Sequence, residues 1–154
     1  MEPIKVVIVD DHKMVVEGLR KLIDESQVAV VCDVAYSGQE AVSVIVRCDP
    51  QVVLLDINLP DASGLDLCKQ IKSTCPDVRI VALTSYCDYS VVKRMLSNGA
   101  SGYVIKNAMP DEIILSIETV YKNQLFLCEE IDVMLHRRSE PQVWLTNRET
   151  ELLK

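Results

Sequence analysis

Asp10-Asp11, Asp56, Thr84 and Lys106 each stand directly after a short apolar run of the chain. Three carboxylates brought to one place repel one another and raise each other's pKa unless a cation joins them. A hard divalent ion suits such a set. Mg²⁺ takes oxygen ligands in octahedral array and keeps several waters, so one or two carboxylates, a backbone carbonyl and an incoming phosphoryl oxygen complete its shell. A carboxylate is also a nucleophile, and it forms an aspartyl phosphate when the donor's charge is neutralised by Mg²⁺ and a lysine. Asp56 is the candidate nucleophile, with Thr84 supplying a short hydroxyl donor and Lys106 a fixed positive charge. Taken singly, each residue has a plainer explanation: an Asp after a strand is a common turn or cap residue, Thr84 a cap, and Lys106 a solvated loop lysine. Only their joint placement argues for chemistry.

That placement depends on the elements around them. Short β-rich runs alternate with segments of helical period from Ile4 to Tyr121, which is the pattern of βα units on a parallel sheet. The expected strands are Ile4–Val9, Val28–Val34, Val52–Leu55, Val78–Leu83 and Gly102–Ile105. The third reads Val-Val-Leu-Leu, continuous rather than alternating, as a strand covered on both faces should. Between the strands, apolar residues return on one face of each expected helix: Val15, Leu19, Leu22 and Ile23 in the first, and Ile113, Ile114, Ile117 and Val120 in the last. Gly99 closes the fourth helix and Pro110 opens the fifth. Right-handed crossovers then give an α/β fold, a doubly wound (βα)5 sandwich around a five-stranded parallel sheet, with the strand order left open. In such sheets ligands collect outside the carboxyl ends of the strands, which is where all five candidate residues fall.

Composition narrows the rest. The 154 residues, 49% hydrophobic and 25% charged, suffice for one ordinary domain and a modest extension. No run approaches the roughly 18 to 20 apolar residues of a membrane span. Met1-Glu2-Pro3 leads directly into a strand-like run without the pattern of a secretory signal, so the cytoplasm is the expected compartment. The net charge of -7 disfavours direct nucleic-acid binding by these residues. Six cysteines lie mostly within apolar runs and form no C-x-x-C pair, which suits reduced, buried thiols.

Together the motifs resemble the receiver domain of two-component response regulators, over roughly Ile4 to Tyr121. The resemblance rests on Val9-Asp10-Asp11, on Leu54-Leu55-Asp56-Ile57-Asn58-Leu59-Pro60 with Gly64 following, on Ala82-Leu83-Thr84-Ser85, and on Gly102-Tyr103-Val104-Ile105-Lys106. It implies a flavodoxin-like receiver fold in which Asp56 accepts a phosphoryl group from a histidine kinase or from acetyl phosphate. It further implies Mg²⁺ held by Asp11, Asp56 and the Asn58 carbonyl, with Asp10 acting through a metal-bound water. Thr84 and Tyr103 correspond to the family's switch pair, and Asn58 and Tyr86 to positions that tune dephosphorylation. Such domains signal rather than turn over a substrate, and the active form is expected to be a homodimer. Asn107-Ala108 follows Lys106 where many members carry proline.

The expected division is a receiver over 1–122, a linker over 123–144 with a short helix around Glu129–His136, and a further element from 145 to 154. Thr146 and Glu149 form a T-x-x-E capping box there. Leu145-Thr146-x-Arg148-Glu149-x-Glu151-Leu152-Leu153 resembles the opening of the helix-turn-helix effector of LuxR/NarL regulators. The implied partner is DNA, bound through a C-terminal domain of which this chain holds only the start. Two rival readings lose ground on particular residues. An aspartyl-phosphate phosphatase would carry a second acid two residues after its nucleophile, where Asn58 stands, and a flavin site would not place Asp10-Asp11-His12 after the first strand. A phosphorylation-independent interaction module is the remaining alternative, weakened by the filling of every acidic, hydroxyl and lysine position. His12 reads as a loop or helix-start residue rather than a metal ligand or phosphodonor, and Tyr36 and Trp144 as packing or surface residues.

Overall fold

The computed structural model describes residues 2–85, 88–106 and 110–127. Strands β1 (Ile4–Val9), β2 (Ala29–Ala35), β3 (Val52–Asp56), β4 (Arg79–Thr84), β5 (Gly102–Ile105) and β6 (Phe126–Leu127) form one sheet in the order β2-β1-β3-β4-β5-β6. All neighbouring strands run parallel. Helices α1 (Lys13–Glu25), α2 (Gly38–Cys48), α3 (Gly64–Thr74), α4 (Tyr89–Ser97) and α5 (Pro110–Tyr121) fill the crossovers. The doubly wound parallel fold expected from the alternation is therefore the one observed.

The pleat of each strand sorts its apolar side chains into two cores. Val7, Val9, Val53, Leu55, Ile80 and Ala82 face α2, α3 and α4, where Ala41, Ile45, Cys68, Ile71, Val92 and Met95 meet them. Val6, Ile8, Leu54, Val81, Leu83 and Val104 face α1 and α5, against Val16, Ile23, Ile113, Ile117 and Val120. Every residue of β3 is buried, so its uninterrupted apolar run reflects cover on both sides. Burying each such side chain stabilises the fold by roughly 1.5–3 kcal/mol relative to exposure.

The helix ends carry the expected punctuation. Ser37, Ser63 and Asp88 cap α2, α3 and α4 by accepting backbone N–H bonds. α4 ends at Gly99, whose φ of 108° permits the Ala100 N–H to reach the Met95 carbonyl at 3.0 Å and the Gly99 N–H to reach Leu96 at 3.1 Å. α5 closes in the same way at Asn123, φ 64°, with the Gln124 N–H on the Thr119 carbonyl at 3.1 Å.

That turn brings about the one departure from the expected architecture, a sixth strand where five were expected. Once Asn123 reverses the chain, the Phe126 N–H bonds the Ser101 carbonyl at 3.0 Å, and Phe126 and Leu127 pair with Gly102 and Tyr103. Two residues are too short to show a period of two, so the segment reads as linker in sequence. The second and fourth strands each begin one residue later than expected, at Ala29 and Arg79. The expected helix at Glu129–His136, the capping box at Thr146, Tyr86, Asn107, Ala108 and Trp144 lie outside the described residues.

The loop from β3 to α3 is shaped by Gly64. Its N–H bonds the Ile57 carbonyl at 3.2 Å, and a Cβ on Gly64 would overlap the Ile57 Cα and Cβ. The overlap is with backbone, so it cannot be relieved by a rotamer change. Gly64→Ala is expected to destabilise the domain by about 2 kcal/mol or more, as overpacking against rigid atoms does. Urea unfolding of the two proteins measures the difference, and an unchanged midpoint would contradict the close approach.

Candidate functional site

β1 and β3 are adjacent in the sheet, with Val9 opposite Leu55, so the residues that follow, Asp10 and Asp56, emerge side by side at the carboxyl edge. Both are fully buried, at 0% exposure. β4 places Thr84 next to this pair, since its preceding residue Leu83 lies opposite Asp56. The Lys106 N–H donates to the Thr84 carbonyl at 2.6 Å, which fixes the backbone from which the lysine side chain reaches back across the site.

The Lys106 ammonium lies 3.0 Å from Asp56 Oδ2 and 3.2 Å from Asp10 Oδ2, with only 12% of its side chain exposed. The other Asp56 oxygen, Oδ1, accepts the Asn58 N–H at 2.9 Å. Asp10 Oδ1 accepts the His12 N–H at 2.9 Å. Burial holds the Asp56 carboxyl above the ordinary carboxylate pKa, and the nearby Asp10 charge pushes the same way. The Asn58 N–H and the Lys106 ammonium oppose the shift without cancelling it.

Four of the expected residues thus converge: Asp10, Asp11, Asp56 and Lys106. Asn58 joins them through its backbone. Thr84 and Tyr103 are buried beside them and line a common cavity of about 140 Å³ that also touches Ile57, Asn58 and Val91. Tyr103 is fully buried in the core on the α4 side of the sheet. One residue takes a place in the site that its expected loop or helix-start role does not include. His12 does begin α1, as its N-cap, yet its ring turns into the acidic cluster, with Nδ1 2.9 Å from Asp10 Oδ1. Its position next to Asp10-Asp11 was the available signal.

Two carboxylate oxygens, Asp10 Oδ2 and Asp11 Oδ1, are buried without accepting a hydrogen bond. Lys106 lies within ion-pair distance of the first but not in hydrogen-bonding geometry. Oxygens desolvated in this way fit a divalent cation, and one ligand atom from each of Asp10, Asp11, His12 and Asp56 lies within 4.8 Å of the others.

The fold and this cluster together define a doubly wound domain with a buried acidic cluster at the carboxyl edge of its parallel sheet. Comparison with known proteins agrees. The response regulator receiver domain family matches residues 6–118. The nitrate/nitrite response regulator protein homolog of Haemophilus influenzae is 32% identical over 99% of this chain and 75% of its own length. The response regulator protein VraR of Staphylococcus saprophyticus is 32% identical over 98% and 74%. Among solved structures, a LuxR-family two-component response regulator from Aurantimonas superposes with a TM-score of 0.86 at 26% identity, covering 90% of this chain and 99% of that one. The receiver domain of a NarL regulator from Mycobacterium tuberculosis gives 0.77 at 26% identity, covering 80% and 100%. The chain belongs to the response regulator receiver family and is a receiver domain of the LuxR/NarL class.

The energetics of the site turn on Lys106. Because the Asp56 pKa is raised on folding, this carboxyl favours the folded state fully only below its unfolded value, and that contribution is lost as pH rises through the folded value. Lys106 limits the loss by compensating the charge. In metal-free buffer Lys106→Met is expected to cost about 3 kcal/mol of stability near pH 7, the scale for removing one partner of a buried pair. The deficit should shrink as pH falls and Asp56 takes up a proton. Denaturant melts of both proteins across that range measure it, and a pH-independent deficit would contradict the electrostatic role.

Proposed function

We propose that Asp56 accepts a phosphoryl group from the phosphohistidine of a sensor histidine kinase, or from a small acyl phosphate. The observation that supports this best is the dressing of Asp56 itself. One oxygen is held by Lys106 and the other by the Asn58 N–H, at the open carboxyl edge of the sheet. An Asp56 oxygen forms a new bond to phosphorus while the P–N or P–O bond of the donor breaks, and the electron pair leaves with imidazole or carboxylate. Lys106 then exchanges its contact with the carboxylate for one with a phosphoryl oxygen, and the Thr84 hydroxyl donates to another.

Mg²⁺ held by Asp11, Asp56 and the Asn58 carbonyl, with Asp10 acting through a bound water, would supply the positive charge that lets an anionic carboxylate meet an anionic donor. The added charge of about -1.5 to -2 biases neighbouring groups toward a second arrangement. Thr84 and Tyr103 are the groups that would move, since both border the same cavity. The altered output surface would lie around α4, β5 and α5, and the active form would be a homodimer.

Residues 1–122 form the receiver in this reading, with β6 docking the first part of a 123–144 linker onto it. Residues 145–154 would open a helix-turn-helix effector that binds DNA. The relatives above support that extension, because this chain spans about three quarters of their length. A cytoplasmic site of action follows from the kinase and DNA partners, and among the described residues no helix is long and apolar enough to cross a membrane.

Incubation with acetyl phosphate, followed by intact-mass spectrometry, tests the central step. One labile, Mg²⁺-dependent phosphoryl adduct is expected in the wild type and none in Asp56→Asn. An adduct of equal yield in the variant would remove Asp56 from its role. Absence of any adduct, together with no response to beryllofluoride, would favour a phosphorylation-independent module.

A further inference from the structure

His12 is the N-cap residue of α1, yet its side chain accepts no capping hydrogen bond from the helix. Its Nδ1 instead lies 2.9 Å from Asp10 Oδ1, 3.3 Å from Asp11 Oδ1, 3.7 Å from Asp56 Oδ2 and 3.2 Å from the Lys106 ammonium. One ring nitrogen cannot satisfy all four neighbours. With a proton on Nδ1 it donates to Asp10 but then faces the ammonium of Lys106 as a second donor. Without that proton it accepts from Lys106 but then turns a lone pair on three carboxylates.

A divalent cation at the common centre removes the conflict, because the ring nitrogen and the Asp11 and Asp56 oxygens then offer lone pairs to the same ion, while Asp10 meets it through the bound water. The spacing is suitable. Neighbouring ligands on bonds of about 2.1 Å are about 3 Å apart and opposite ones about 4.2 Å, and the four donor atoms here lie within 4.8 Å of one another. A second observation points to a ligand independently of the ring. Asp10 is fully buried, and its Oδ2, although 3.2 Å from the Lys106 ammonium, accepts no hydrogen bond.

We propose that His12 Nδ1 is a direct ligand of the ion in this site. The inference rests on the acidic cation site named under the proposed function and extends it in one respect, the donor set. With an imidazole nitrogen beside the carboxylates, the site gains affinity for borderline first-row ions such as Co²⁺ and Zn²⁺ relative to Mg²⁺, since imidazole suits the later transition metals whereas Mg²⁺ favours oxygen alone. His12 is 56% exposed, so its ring can take up this role without repacking the core.

Mn²⁺ is a direct probe, because a coordinated imidazole imprints ¹⁴N modulation on its electron spin echo. The tag-free protein loaded with Mn²⁺ is compared with His12→Ser, in which serine remains a good N-cap and keeps α1 folded. The wild type is expected to show imidazole ¹⁴N modulation that the variant lacks. Removal of a ligand should weaken Mn²⁺ binding by at least about tenfold, no less than the loss of an outer-shell partner, while Mg²⁺ affinity changes little. Mn²⁺ bound without ¹⁴N modulation, or bound equally well by both proteins, would overturn the role of His12 and leave the carboxylate site standing. Failure of the wild type to bind either Mn²⁺ or Mg²⁺ would overturn the cation site itself.

Discussion

Two carboxylates with no solvent exposure, Asp10 and Asp56, share one ammonium, and the surrounding structure is organised by what that arrangement demands. Burying a charge is costly unless a partner compensates it in good geometry. One lysine cannot neutralise Asp10, Asp11 and Asp56 together, so an excess of negative charge is built into the domain. A protein selected for stability alone would replace such a cluster with apolar groups. Here it is kept at the edge of the sheet, where a cation and a phosphoryl group can enter.

Holding that charge in place requires a rigid frame. β3 supplies it by being covered on both faces, so Asp56 leaves a strand that has no freedom to shift. β1 aligns Asp10 through the parallel ladder, and β5 delivers Lys106 through its bond to the Thr84 carbonyl. The ordered hydrogen bonds of the strand ends therefore set the distances of the site more than the side chains themselves do. The Gly64 contact with Ile57 has the same function for the loop after Asp56, since it closes that loop tightly enough to aim the Asn58 N–H at the carboxylate.

Much of this was legible from residue types. A short continuous apolar run between turn signals, such as Val52–Leu55, fits a strand buried on both sides, and the acids, hydroxyl and lysine at the strand ends fall where α/β sheets bind ligands. Strand order was not legible, because hydrophobic pattern reports burial and not neighbour identity. Phe126–Leu127 escaped notice for a different reason: two residues carry no period, and their pairing depends on the αL turn at Asn123. The ring of His12 escaped because helix-start position and side-chain direction are separate facts, and sequence reports only the first. Tyr103 was visible as a motif residue, but its full burial depends on the packing of α4 over β5.

β6 gives the sheet a mechanical property that the other edge lacks. Phe126 and Leu127 are laced to Gly102 and Tyr103, the latter only three residues from Lys106. A ladder of this kind resists sliding, because any movement of β5 along its axis must either break the bond from the Phe126 N–H to Ser101 or drag the outer strand with it. Phe126 and Leu127 are therefore tethered to the strand that leads into the lysine of the site, and not merely to the end of the last helix. The segment after the last helix and the approach to the acidic edge thus share one ladder of backbone hydrogen bonds.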